Sequence, residues 1–276
     1  VLSYFFRRLI PISFLGIVSC SVSLTDVDVA SLGEVQDLHT GERFSPQVFF
    51  QKIVNVPHIL LGEQHDNLKH HQAQFWLLQQ LQKHRHQGSL LLEMLSVDQQ
   101  PQIVKISQNS TAHLTDLPAA LNWKASWDWR FYGDIVRYGL ENQIALVATN
   151  LTEREIAILM QGAEPLQGDK STRLEIQQKI AQLISQNHLN DINLQSSLIQ
   201  KMVQVQQFRD RRMAEKLLKA KIPSLLIAGN HHVNKQIGIV QHLQDLSPQT
   251  KVITILMGSN PSYFSANDAD YFWILN

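Results

Sequence analysis

Cysteine is almost missing from this chain: one occurs in 276 residues, Cys20. A disulfide framework, a cysteine-based structural zinc site and an iron–sulfur cluster each need at least two thiols, so none forms within the chain. A surplus of either charge is missing as well. Lys and Arg number 24 and Asp and Glu 24, which leaves no excess positive charge to neutralise phosphates and excludes a general nucleic-acid binder. No apolar run reaches the roughly 20 residues that a membrane-spanning helix needs. What is present is enough apolar side chain for a sizeable core, 44% of residues against 17% charged, and that excludes a disordered chain.

The first twenty residues read as an address. Arg7 and Arg8 precede an apolar stretch from Leu9 to Val18, about ten residues long, as in the core of a secretory signal. It ends in Ile17-Val18-Ser19-Cys20, which resembles the lipobox of bacterial lipoproteins. The expectation is a signal peptide over 1–19, lipidation of Cys20, a polar tether over 20–40 and a single domain over 41–276. Each buried acyl methylene contributes roughly 0.8 kcal/mol, so two or three chains on Cys20 hold a domain at a bilayer without a spanning helix. Ser21 after the cysteine suits an outer-membrane anchor facing the periplasm. The competing readings are a plain secretory signal with an incidental cysteine, or a buried first helix.

Downstream, short apolar runs alternate with longer helical patterns. Strands are expected at His58 to Gly62, Ser89 to Leu95, Ile144 to Thr149, Ser224 to Ala228 and Val252 to Met257, with an edge strand near Asp270 to Leu275. Their near-continuous apolar character suits an α/β fold with a mostly parallel sheet flanked by helices. Helices are expected at Asp66 to His86, Arg130 to Glu141 and Asn234 to Leu246. The long interval between the third and fourth core strands predicts an all-helical lid over 151–221. Thr152-Glu153-Arg154-Glu155 and Thr172-Arg173-Leu174-Glu175 look like capping boxes that open two of its helices, and a third is expected from about Leu194 to Leu218.

Ligands of open parallel sheets sit beyond the carboxyl ends of the strands, and the most reactive residues fall there. The first strand runs into Glu63 and His65, the second carries Glu93, the third ends at Asn150 and the fourth runs into His231 and His232. Lys69, His70 and His71 open the first helix, where Asp66 can pair with His70. Trp123, Trp127 and Trp129 cluster with Lys124, Arg130 and Tyr132, followed by Tyr138. Such a surface either packs into the core or holds a planar aromatic ligand with acidic arms.

Leu60-Leu61-Gly62-Glu63-Gln64-His65-Asp66-Asn67 with the following histidines, Glu93-Met94, Trp127 to Tyr132, Ala148 to Leu151, Arg209 to Ala214 and Ile227 to Val233 together resemble the ChaN-like family of haem-binding, iron-regulated lipoproteins. That family is distantly similar to Tiki and erythromycin-esterase-like hydrolases. The resemblance implies noncovalent haem binding, ferric protoporphyrin IX in a homodimer enclosing two stacked haems, and a place beside haem-uptake components. It implies a tyrosine on iron, with Tyr132 first and Tyr138 second, and Lys69, His70, His71 and Lys124 as candidates for the propionates. The alternative is a hydrolase in which Glu63, His65, Glu93 and His231 hold a divalent metal ion that activates water.

Overall fold

The computed structural model describes Leu24 and residues 27–108, 116–187 and 196–275. The expected signal peptide over 1–19 and Cys20 lie outside the described residues. The strands are β1 (Glu34–Asp37), β2 (Arg43–Phe44), β3 (His58–Leu61), β4 (Ser89–Ser96), β5 (Ala145–Asn150), β6 (Ser224–Ile227), β7 (Ile253–Gly258) and β8 (Tyr271–Ile274). They form one sheet in the order β2-β1-β8-β7-β3-β6-β4-β5. From β8 to β5 all neighbours are parallel, and β1 and β2 add an antiparallel edge.

Helices cover both faces: α1 (Pro46–Ile53), α2 (Leu68–Arg85), α3 (Gln100–Ser107), α4 (Leu117–Ala120), α5 (Trp129–Glu141), α6 (Glu153–Gly162), α7 (Leu174–Asn187), α8 (Ser196–Lys219), α9 (Asn230–Val233) and α10 (Ile239–Leu246). Leu77, Leu78 and Leu81 of α2 and Ile135 and Val136 of α5 pack on Ile59, Leu61, Leu90 and Leu92 on one face of the sheet. On the other face, Leu60, Leu91 and Leu226 meet Met213, Ala214 and Leu217 of α8 and Leu243 of α10. Alternate residues of each strand thus point to opposite apolar layers, which is why the strand runs carry no polar alternation. Among the described residues no helix is long and apolar enough to cross a membrane.

Three expectations change. The tether does not extend to Thr40: β1 pairs with β8, Val35 opposite Trp273, and Leu24, Leu32 and Val35 are buried. That strand is four residues of mixed polarity, too short to show a period. In consequence the C-terminal strand is interior and not an edge, with the Trp273 indole donating to the Leu32 carbonyl at 2.6 Å. The helix expected over Asn234 to Leu246 is shorter: α9 ends before it at Val233, Asn234 to Gly238 form the turn that follows, and the helix is α10, from Ile239.

The helical insertion lies between β5 and β6 as expected, but the C-terminal half of α8 is a covering layer of the sheet. Its N-terminal part joins α6 and α7 in two small apolar clusters, one of Ile176, Ile180, Ile184 and Val203, the other of Leu159 and Val205. The first expected capping box is formed: Thr152 accepts from the Glu155 amide at 3.1 Å, and the Glu155 carboxylate accepts from the Thr152 amide at 2.8 Å. In the second, Thr172 instead donates to the Gly168 carbonyl. Thr152→Ala is expected to lower unfolding stability by about 1 kcal/mol, read as a shifted urea midpoint at unchanged slope.

Candidate functional site

Because β3 to β7 run parallel, their carboxyl ends share one rim, and Glu63, Ser96, Asn150, Gly229 and the α5 entry converge there. Glu63 is the hub. Its Oε1 accepts from Tyr132 Oη at 2.6 Å and from His65 Nδ1 at 2.7 Å, and its Oε2 accepts from Gln74 Nε2 at 2.5 Å. Burial opposes ionisation of this carboxyl, but the His65 hydrogen bond and the His71 charge outweigh it and hold it below the usual range. Burial likewise works against the His65 cation, yet its bond to Glu63 and the charge of Glu93 raise its pKa. The His65 side chain stays 45% exposed.

A second buried group lies beside the first. His232 Nδ1 meets Asp210 Oδ1 at 2.6 Å and its Nε2 lies 3.3 Å from Glu93 Oε1, while Glu93 Oε2 accepts from the Gly229 amide at 2.8 Å. With a carboxylate on each ring nitrogen, the imidazole is held as a cation. Burial alone would lower the His232 pKa, but Glu93 and Asp210 drive it up to about 10. Gly229 permits this closeness: a Cβ there would lie 3.1 Å from the His65 ring and 3.7 Å from Glu93 Oε2. Asn150 binds the rim together, donating to the Glu93 carbonyl at 2.9 Å and accepting from the Leu151 amide at 2.8 Å.

Two clefts open on this rim. The first, about 590 Å3, has an aromatic and apolar wall of Trp127, Phe131, Tyr132, Met94, Leu151 and Ile156, with Lys124 and Arg209 as its long cationic side chains. The second, about 510 Å3, is polar and is lined by Glu63, His65, Glu93, His231 and His232. They share His65, Trp127, Asn150 and Arg209 as a common wall. The tryptophan cluster therefore divides. Trp123 and Trp129 pack edge to face at 4.8 Å against the core, whereas Trp127 stands edge-on to His65 at 4.8 Å in the clefts.

Several expected residues sit elsewhere. His70 is fully buried; its Nδ1 accepts from the Gln64 amide at 2.9 Å, and burial lowers its pKa to about 4. His71 is fully buried, stacked on Phe131, with Nε2 on the His65 carbonyl at 3.1 Å and Nδ1 on Gln74 at 3.0 Å. Both are enclosed where they hold the Glu63 loop against α2, and neither lines a cleft, although His70 Nε2 has no hydrogen-bond partner among the described residues. Lys69 is half-buried and lines neither cleft. Lys124 does line the aromatic cleft, where its ammonium lies 3.4 Å from the exposed Glu153 carboxylate. Tyr138 packs edge-on against Phe75, away from both clefts.

Tyr132 lines the aromatic cleft, but its hydroxyl turns inward to Glu63 and the residue is only 1% exposed. Burial, and then the Glu63 charge, push this phenol above its ordinary range. The proposed metal set is not assembled either. His231 is exposed on α9 and His232 takes the place beside Glu93; among the described residues no group of three His, Cys, Asp or Glu is arranged to hold a metal ion. The histidine pair carries no signal that tells which member turns inward. Asp210 had one: it precedes Met213, Ala214 and Leu217 by three, four and seven residues and so lies on the apolar stripe of α8, where a carboxylate needs a partner.

The aromatic cleft falls in the size range of small-molecule sites and combines ring faces with cations, the chemistry a flat, dicarboxylic macrocycle requires. The family model for haem-binding uptake, Tiki superfamily, ChaN matches residues 49–243. No curated protein matches the chain. Among solved structures, cofacial haem binding to ChaN of Campylobacter jejuni describes one that is 31% identical, with a TM-score of 0.81 over 88% of this chain and 96% of that one. An erythromycin esterase in its open conformation is 13% identical, with a TM-score of 0.48 over 86% of this chain and 81% of that one. The match over residues 49–243 and the Campylobacter likeness place the α/β domain described above in one family: the chain belongs to the ChaN family of haem-binding uptake proteins in the Tiki superfamily.

Proposed function

We propose that this protein is an envelope lipoprotein that holds ferric protoporphyrin IX noncovalently in the aromatic cleft, as a homodimer that encloses stacked haems, in haem or iron uptake. The observation that carries the reading is the cleft itself: Trp127, Phe131 and Met94 offer flat and polarisable surface, and Lys124 stands among them beside the exposed Glu153 carboxylate. The Campylobacter relative, described by its cofacial haem binding, supports the ligand and its stacked arrangement. Haem would supply a ferric centre that favours a hard oxygen donor.

Within that reading Tyr132 is the donor. Its hydroxyl proton has an acceptor 2.6 Å away in Glu63 Oε1, and the same oxygen contacts His65, whose ring reaches solvent. Glu63 thus offers an acceptor for the proton that a phenol must lose to bind iron. The test of the whole reading is haemin added to the purified domain and followed by sizing chromatography. Haem colour eluting at the mass of two chains supports it; colour that elutes free of protein rejects it.

The anchor is part of the same proposal, supported by the charged, apolar and lipobox segments around Cys20. Cys20→Ser is expected to move the protein from the membrane fraction to the soluble periplasmic fraction. Continued sedimentation with membranes would contradict lipidation at Cys20.

A further inference from the structure

The wall shared by the two clefts contains a guanidinium that has no salt bridge to an acid among the described residues. Arg209 lies on α8 and lines both clefts. Its Nη1 donates to Gln206 Oε1 at 3.1 Å, while its Nε is buried and has no hydrogen-bond partner among the described residues. The adjacent carboxylate, Asp210, is taken by His232. Arg211 and Arg212, by contrast, each have an acid, Asp245 at 3.2 Å and Glu155 at 2.7 Å. Three arginines within four residues therefore divide into two that staple the fold and one that lines the clefts with donors to spare.

A guanidinium presents five N–H donors in a planar fork that matches a carboxylate bidentately, and a buried donor left unpaired is costly. We infer that Arg209 is the carboxylate anchor of the bound ligand: it takes a propionate at the shared wall, so that the acidic edge of the macrocycle points toward the polar cleft and the ring lies along Trp127 and Phe131. This rests on the haem-binding reading and adds an orientation to it. Neighbouring side chains agree with the assignment. Beside Trp127, that wall carries the polar His65 and Asn150, whereas Leu151, Ile156 and Met94 line the aromatic cleft only. Lys124, also confined to the aromatic cleft, already has Glu153 for company.

The test compares haemin with its dimethyl ester, which keeps the ring and the iron but has no carboxylate charge. Wild-type protein is expected to prefer haemin, and Arg209→Gln to lose that preference by about tenfold or more. Arg209→Lys keeps the charge without the fork and is expected to recover part of the preference, which also covers the case in which the Gln variant folds poorly. Lys124→Gln is expected to lower it less. Equal preference in wild type and Arg209→Gln, or a preference that depends on Lys124 alone, would overturn the assignment with haem binding itself intact. A wild-type protein that takes neither compound would overturn the haem reading and this anchor with it.

Discussion

His232→Ala is expected to destabilise the domain by about 3–5 kcal/mol, measured by urea unfolding near neutral pH, because it strands two buried carboxylates without their shared cation. Glu93 and Asp210 are 3% and 3% exposed, so water cannot take over the lost role. For Glu93, burial favours the neutral form, but His232 holds its pKa down to about 2. For Asp210, burial dominates and lifts the pKa to about 6 in spite of His232. The three groups titrate together, and the pH dependence follows their sum. A histidine whose pKa rises on folding lends stability that is complete below about pH 6.5 and drains away as pH climbs through about 10. Glu93 has the opposite sign: its share is present above its unfolded pKa and lost as pH falls toward about 2. Wild type should therefore lose stability between pH 7 and 10 more steeply than His232→Ala. Parallel pH profiles, or a cost below about 1 kcal/mol, would show that the imidazole is not the cation that holds this cluster together.

Tyr132→Phe is expected to abolish or strongly shift the visible spectrum of the haemin complex while the domain stays folded. The substitution keeps the ring that lines the aromatic cleft and removes only the hydroxyl. Glu63 retains His65 and Gln74 as donors, so the cost in stability is about 1–2 kcal/mol. Ionisation of this phenol is disfavoured in the free protein, first by burial and then by the Glu63 charge, so the phenolate forms only where a metal charge offsets both. Glu63→Gln, which removes that negative charge and the proton acceptor together, should slow binding more than it weakens it. A Tyr132→Phe complex with an unchanged spectrum would contradict ligation by Tyr132. The donor would then be sought at Tyr263, which is 81% exposed on the loop after β7.

Much of the fold could be read from the chain because its core strands are buried on both faces. Five apolar runs at His58, Ser89, Ile144, Ser224 and Val252 each became a strand within a residue or two of expectation. β1 and β2 escaped because four and two residues of mixed polarity are held by pairing to β8 and not by a pattern of their own. The site was legible as a place and less so as a set of contacts. Strand ends located Glu63, His65, Glu93 and Asn150 correctly, since topology alone brings them to one rim. Which way a side chain turns there depends on tertiary neighbours. His70 looks like a solvated helix residue and His71 like one nearer the apolar face; both are buried under the Glu63 loop, held by Gln64 and Gln74. Arg209 was visible only as the first of three basic residues around Asp210, and nothing in that run tells that it, unlike the other two, makes no salt bridge among the described residues.

The most direct test of the central claim, that the aromatic cleft is the haem site, is a haemin titration of wild type and Phe131→Glu followed at the Soret band. Phe131 is half-buried at the cleft wall, so an added carboxylate there blocks the ring surface and repels propionates. The account predicts that wild type saturates at one haem per chain, and that Phe131→Glu, with an unchanged far-ultraviolet spectrum, stays nearly colourless. A wild-type protein with no Soret change, or a Phe131→Glu variant that binds as tightly as wild type, would contradict it.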